Sequence, residues 1–215
     1  MKVPELKTKI ILASQSPRRR HLLERAGLRF TVIPSEFDEA AVSASTPDDY
    51  VRILAEEKAR DIGRKHPDAW VIAADTVVVV DGRILGKPAS TPQARDMLRR
   101  LSGRTHQVLT GYCICQVSGA RMFADTVRTD VLFKTLSEEE IEWYIQTGEP
   151  FDKAGAYAIQ GIGTFLVKRI NGSYTNVVGL PVCEVIEILI REKVVGFDQP
   201  HPGPLPARGA DPEIV

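Results

Sequence analysis

Ile10-Ile11-Leu12-Ala13-Ser14-Gln15-Ser16-Pro17-Arg18-Arg19-Arg20 is the stretch on which the reading of this chain turns. An apolar run, a few small polar residues, a proline and then Leu22-Leu23-Glu24-Arg25-Ala26-Gly27 describe a buried strand, a tight loop and a short helix closed by Gly27. Ser16 suits the N-cap, and Pro17 suits the first helical position, where a backbone N–H has no partner to lose. The next residues go against helix stability. Three arginines fill a first turn that already carries about +0.5 of an elementary charge from its unpaired N–H groups. Thr46-Pro47-Asp48-Asp49 opens a second helix with the same cap and proline but places acids there. Guanidinium groups at a positive helix end repel it unless an anion sits among them, so the loop and helix start read as a phosphate seat. The plainer alternative is a solvated basic turn paired with nearby acids.

Working outward, 215 residues suffice for one large domain or two small ones with a real core. An apolar content of 43% and a charged content of 26% are those of a globular protein. Lys+Arg and Asp+Glu balance at 28 each, so no global field draws nucleic acid or an anionic membrane. Cys113 and Cys115 lie two apart on an expected strand and, with Cys183, make neither a disulfide framework nor a four-ligand zinc set; buried small apolar residues are the expectation. There is no apolar run of transmembrane length and no signal-peptide core, so a reducing cytoplasm is the expected compartment.

Along the chain, strands are expected at Arg29–Ile33 and Trp70–Ala74, the latter ending on Asp75-Thr76. An acidic loop spans Pro34 to Glu39, and an amphipathic helix runs from Tyr50 to about Lys65. Val77–Val80, Asp81-Gly82 and Arg83-Ile84-Leu85 form a hairpin with a type I′ turn. Thr91-Pro92 caps a helix to Leu101, two strands flank Ser118-Gly119, and Ser137 with Glu140 forms a capping box. Gly148 to Gly163 and Gly172 to Pro181 are expected as loops, Thr164–Ile170 as a strand and Val182–Glu192 as a closing helix. Hairpins interrupt the alternation of strands and helices, so the sheet is expected to be mixed. Residues 1–195 read as the folded domain and the Pro- and Gly-rich 196–215 as a disordered tail.

Several residues carry candidate chemistry. Asp75 at a strand end is placed either for function or for a turn. Glu36, Asp38 and Glu39 offer the hard oxygens that Mg²⁺ accepts one or two at a time, or else a solvated loop. Lys58 and Lys87 are single cations. Asp152-Lys153-Ala154-Gly155-Ala156-Tyr157 adds an ion pair and a close backbone approach. His21, His66, His106 and His201 are scattered and read as surface or packing residues.

Together, Ser14-x-Ser16-Pro17-Arg18-Arg19, Ala74-Asp75-Thr76, Gly86-Lys87-Pro88, Leu101-Ser102-Gly103, Glu149-Pro150-x-Asp152-Lys153-Ala154-Gly155-Ala156-Tyr157, Gln160-Gly161 and Gly172-Ser173-Tyr174-x-Asn176-Val177-Val178-Gly179-Leu180-Pro181 resemble the Maf family of nucleotide pyrophosphatases. The resemblance runs from about Ile10 to Leu189, with Ala73 and Ala158 standing where glycine is usual. It implies a mixed, twisted α/β sheet with two lobes around a nucleotide-binding cleft, like that of inosine-triphosphate pyrophosphatase. It implies hydrolysis of a nucleoside triphosphate between the α and β phosphates, with a divalent cation (Mg²⁺, with Mn²⁺ or Co²⁺ as substitutes) and a homodimer.

Glu39 and Asp75 can hold the metal or orient and deprotonate the attacking water, and by the same resemblance Asp75 is the assigned general base. Lys58 and Lys87 join them in catalysis. Ser14, Arg18, Arg19, Thr76, Asp152, Lys153 and Gln160 bind substrate. Arg18, Thr76 and Gln160 match the branch acting on dTTP and UTP rather than 7-methyl-GTP. A neutral uracil or thymine edge suits the Gln160 amide and a small donor such as Thr76, whereas a cationic methylated guanine favours an aromatic face and a carboxylate. The rival readings are a non-catalytic nucleotide sensor in cell-division control and a house-cleaning enzyme for a modified nucleotide.

Overall fold

The computed structural model describes residues 9–196, so the expected tail lies outside the described residues except for Gly196. Strand β1 (Ile10–Leu12) is wholly buried and feeds the loop that begins at Ser14. Helix α1 (Pro17–Arg25) starts at the expected N-cap, with the Ser16 hydroxyl accepting from the Arg19 N–H. Strand β2 is only Thr31–Val32, shorter than expected. Helix α2 spans Pro47–Lys65 and is capped by Thr46. Val51, Leu54, Ala55, Ala59 and Ile62 form its buried stripe at helical spacing, and Lys58 lies in the same stripe.

Strand β3 differs most from expectation. It runs without a break from Trp70 to Val80, so Asp75 and Thr76 lie in its middle rather than at an end. Their polarity interrupts the apolar pattern but not the ladder, because strand β5 (Thr105–Gln116) pairs with β3 antiparallel from Val71 through Val79. On the other edge, β1 pairs parallel with Trp70 to Ile72, and β4 (Arg83–Leu85) pairs antiparallel with Val78 to Val80. From Ala74 to Val77 that edge has no strand partner, which opens the sheet between the two lobes. The hairpin to β4 turns at Asp81 (φ 51) and Gly82 (φ 71), the pair of left-handed residues that a type I′ turn demands.

Helix α3 (Thr91–Leu101) is capped by Ser90 rather than Thr91. Strand β6 (Arg121–Phe133) pairs with β5, and helix α4 (Glu138–Gln146) carries the capping box of Ser137 and Glu140. The stretch expected as a loop from Gly148 is a chain of 3₁₀ turns at Glu149–Asp152, Ala154–Ala156 and Gly161–Leu166. These delay strand β7 to Val167–Asn171. Within the second expected loop, Tyr174–Val178 forms helix α5, capped by the Ser173 hydroxyl. Helix α6 (Val182–Arg191) closes the domain.

The sheet is mixed, in the order β2-β1-β3-β5-β6-β7 with β4 beside β3; β1 pairs parallel with both neighbours and the other pairs are antiparallel. Alternation sends Ala73, Val77 and Val79 toward the Val51–Ala55–Ala59 face of α2, while Ala74 and Val78 face the opposite side. On that opposite side the core divides. Leu23, Ile72, Ile114, Val185 and Leu189 fill one cluster, and Leu98, Leu101, Phe133, Tyr144 and Leu166 fill the other. The two lobes meet at the unpartnered stretch of β3. Among the described residues no helix is long and apolar enough to cross a membrane.

Candidate active site

A cleft of about 720 Å³ follows the open edge of β3, and all eleven residues that the family resemblance assigns to the site line it: Ser14, Arg18, Arg19, Glu39, Lys58, Asp75, Thr76, Lys87, Asp152, Lys153 and Gln160; of the other acidic-loop candidates, Glu36 and Asp38 are not part of its lining. They come from β1's exit loop, α1, the turn before α2, α2 itself, β3, the loop after β4 and the 3₁₀ segment. Asp75 and Thr76 are consecutive on β3 and face opposite sides of the sheet. Because the edge beside them is open, both still reach the cleft.

On the α2 side, Lys58 Nζ lies 2.7 Å from Asp75 Oδ1 and 2.7 Å from Glu39 Oε1. The lysine is only 8% exposed, so its position in the apolar stripe of α2 has this pair of carboxylates as its reason. A buried ammonium without counter-charge would be costly. Asp75 Oδ2 has no hydrogen-bond partner among the described residues, which leaves it available to the cleft. Helix α2 can come this close because β5 carries Gly111, where a Cβ would sit 2.2 Å from the Val51 carbonyl carbon. Tyr50 also lines the cleft; burial pushes its phenol pKa up, and the charges of Asp75 and Glu39 push the same way.

On the other side, the three arginines of α1 divide their tasks. Arg20 points away and pairs with Glu24 at 2.7 Å. Arg18 lies 3.5 Å from Asp152 across the cleft. Arg19 is held from three directions. Its Nε donates to the Gly179 carbonyl at 2.7 Å, Nη1 to Ser14 Oγ at 3.2 Å and Nη2 to Thr76 Oγ1 at 3.1 Å. Desolvation lowers its pKa from the usual arginine value, with the Asp75 charge acting against that shift. Ser14 Oγ accepts from Arg19 and from the Ser16 N–H, so its own proton remains free to donate.

Thr76 lines the cleft, and its hydroxyl has partners within the protein. Its hydroxyl accepts from Arg19 Nη2, lies 2.9 Å from Thr110 Oγ1 and reaches the Gly179 carbonyl at 3.4 Å. The Gln160 amide is without a partner among the described residues. Lys87 is exposed, and the Gly86 carbonyl before it accepts from the Gly155 N–H, tying that loop to the 3₁₀ segment. Lys153 pairs with Asp152 and donates to the Glu149 carbonyl at 3.3 Å.

Two further groups of this segment, quoted above only as motif residues, make contacts that the sequence does not specify. Glu149 receives the Tyr144 hydroxyl at 2.8 Å and the N–H groups of Ile162 and Gly163 at 3.0 and 2.9 Å, which shapes the turn carrying Gln160. Tyr157, on the cleft wall, meets buried His106 at 2.7 Å. Glutamate before proline inside a glycine-dense stretch was the available signal for the first. Nothing local marks the second, because the partners are 51 residues apart.

Asp75 and Glu39 fit a divalent cation of the Mg²⁺ kind. Two carboxylates already converge on one cationic group, each with an oxygen to spare, and Mg²⁺ takes one or two such ligands together with phosphate oxygens. Among the described residues there is no group of three or more His, Cys, Asp or Glu side chains able to hold a metal. The cleft therefore sets a carboxylate pair with a buried lysine against an arginine-lined helix start, an arrangement suited to a polyphosphate.

A family model described as Maf-like protein matches residues 9–192. The dTTP/UTP pyrophosphatase of Syntrophus aciditrophicus (strain SB) is 53% identical over 184 residues, 86% of this chain and 90% of its own. Those of Geotalea uraniireducens (strain Rf4) and Halalkalibacterium halodurans are each 50% identical, covering 87% of this chain and 96% of theirs. Among solved structures, the Ham1 protein of Staphylococcus aureus aligns with 62% of this chain and 88% of its own, at 17% identity and a TM-score of 0.42.

Proposed function

This chain belongs to the Maf-like family, and we propose that it is a nucleoside triphosphate pyrophosphatase acting on dTTP and UTP. The observation that carries the reading is the placement of the Asp75–Lys58–Glu39 cluster opposite Arg18 and Arg19 in one cleft. A sensor would need the arginines but would have no use for a poised carboxylate with a free oxygen.

In the proposed reaction, water attacks the α-phosphorus and gives its proton to Asp75 Oδ2. The bond from that phosphorus to the bridging oxygen breaks, and its electron pair leaves on pyrophosphate. Lys58 holds Asp75 through Oδ1, so the reacting oxygen is oriented in advance. Arg18, Arg19 and Lys87 neutralise charge that grows on the leaving group. Ser14 offers its hydroxyl proton to a phosphate oxygen. A cation held by Asp75 and Glu39 would supply further charge neutralisation at the phosphates. We place the reaction in the cytoplasm, consistent with three cysteines that are all unpaired.

The base is read by the partner-free amide of Gln160. Cytosine reverses one hydrogen-bond position relative to uracil, and a mismatched buried donor costs about 1–3 kcal/mol. Steady-state kcat/KM for UTP, dTTP, CTP and 7-methyl-GTP with Mg²⁺ tests this. UTP and dTTP should exceed CTP by roughly ten- to a hundredfold. If 7-methyl-GTP wins, the pyrimidine reading is wrong; if no nucleotide releases pyrophosphate, the sensor reading replaces it.

A further inference from the structure

Behind Arg19 lies a chain of buried polar groups that the reaction does not touch. Thr76 and Thr110 are directly opposite each other on β3 and β5. Thr110 is fully buried, and its hydroxyl donates to the Asn176 carbonyl at 3.1 Å. With its proton spent there, Thr110 Oγ1 is an acceptor for Thr76 at 2.9 Å, and the Gly179 carbonyl at 3.4 Å is the other acceptor within reach of the Thr76 hydroxyl. Thr76 Oγ1 then turns a lone pair to Arg19 Nη2.

The inner end is anchored in turn. Asn176, also fully buried, donates through Nδ2 to the Val108 carbonyl at 3.1 Å and to Thr129 Oγ1 at 2.9 Å, which joins α5 to β5 and β6. The same anchoring holds the end of α5, where the Gly179 carbonyl receives Arg19 Nε. Both routes from Asn176 therefore end on the same guanidinium. Of its five N–H donors, the ones used on Gly179, Ser14 and Thr76 leave two for an anion.

We propose that Thr110 and Asn176 are positioning residues: acting through Thr76 and Gly179, they hold the Arg19 guanidinium at a fixed angle with two donors turned to the polyphosphate. Their role rests on the pyrophosphatase reading only in that the anion received is a phosphate chain. Sheet packing alone does not call for the arrangement, since valine would fill the Thr110 site with equal volume and no polar group to satisfy.

The test is a double-mutant cycle on the full chain, reading the affinity for inorganic pyrophosphate by calorimetry. Thr110→Val should weaken binding by about five- to tenfold, the scale of one net hydrogen bond. Thr110→Ser, which keeps the hydroxyl, should restore affinity to within about twofold of wild type. In an Arg19→Ala background, Thr110→Val should have no further effect, because the group it positions is gone. An equal weakening with and without Arg19 would mean that Thr110 serves the fold alone, and the proposal fails. An unchanged affinity for Thr110→Val likewise overturns it. If Thr110→Val does not fold, Thr110→Ala removes the hydroxyl without crowding and carries the same cycle. Wild-type protein that binds no pyrophosphate would overturn the functional reading along with the relay, whereas binding with an additive cycle overturns the relay only.

Discussion

Asp75 and Thr76 are neighbours in sequence and work on opposite faces of one strand. Asp75 meets the buried ammonium of Lys58, and Thr76 meets the guanidinium of Arg19. An asparagine at position 75 could still accept from Lys58 but could not take a proton from water. Asp75→Asn is therefore expected to lower turnover by roughly 10²–10⁴-fold while pyrophosphate affinity stays within a few-fold of wild type. Single-turnover kinetics beside calorimetry separates the two quantities, and near-normal turnover would remove Asp75 as the base. The arginine-rich helix start and the acid in a polar break of β3 were both visible in the sequence. The commitment of the Thr76 hydroxyl was not, because its partner Thr110 is 34 residues away on another strand.

At the scale of elements, the position of Lys58 follows from how closely α2 lies against β5. Gly111 sets that distance, since any Cβ there meets the Val51 backbone at 2.2 Å. Backbone cannot swing aside as a flexible side chain can, so Gly111→Ala must push the helix off the sheet. Overpacking of this kind costs about 1–3 kcal/mol, and the displaced helix carries Lys58 with it. Urea unfolding should show the destabilisation, and kcat at a temperature where the variant is fully folded should fall as well. A destabilised variant with wild-type kcat would show that Lys58 does not need this close approach.

The 3₁₀ segment shows the same dependence on tertiary contacts. Its glycines suggested a loop, yet Glu149 gathers the Tyr144 hydroxyl and two backbone N–H groups into a defined turn. Ala156 adopts φ 61, a left-handed conformation that the surrounding packing must sustain.

For the molecule as a whole, the two lobes are joined through β3 and β5, and His106 lies near the start of β5, inside the lobe that contains Phe133 and Tyr157. It is 1% exposed, against Tyr157 and with its ring edge-on to Phe133. Burial lowers its pKa from 6.5 to about 4. Between those values the unfolded chain binds the proton and the folded chain does not. The stabilising contribution is thus complete above pH 6.5 and is lost as pH falls toward 4, reaching roughly 3 kcal/mol. Chemical unfolding of wild type and His106→Gln at pH 7.5 and 4.5 checks this: the variant should lose less stability on acidification, and equal losses would assign acid sensitivity to other groups.

By itself the sequence determined the local grammar: the cap and proline that start α1 and α2, the Asp81-Gly82 turn, the capping box of α4, the mixed character of the sheet, and the motifs that resemble one family from Ile10 to Leu189. Each of these is specified by residues within a few positions of one another. Only the tertiary structure decided that β3 continues through Asp75 and Thr76, and that its open edge between β1 and β4 is where the cleft forms. It also decided that a lysine in an apolar stripe is held by two carboxylates and that Thr110 and Asn176 stand behind Arg19. A polar residue in a strand reads as an end unless its partner is known, and here every such partner comes from a distant part of the chain.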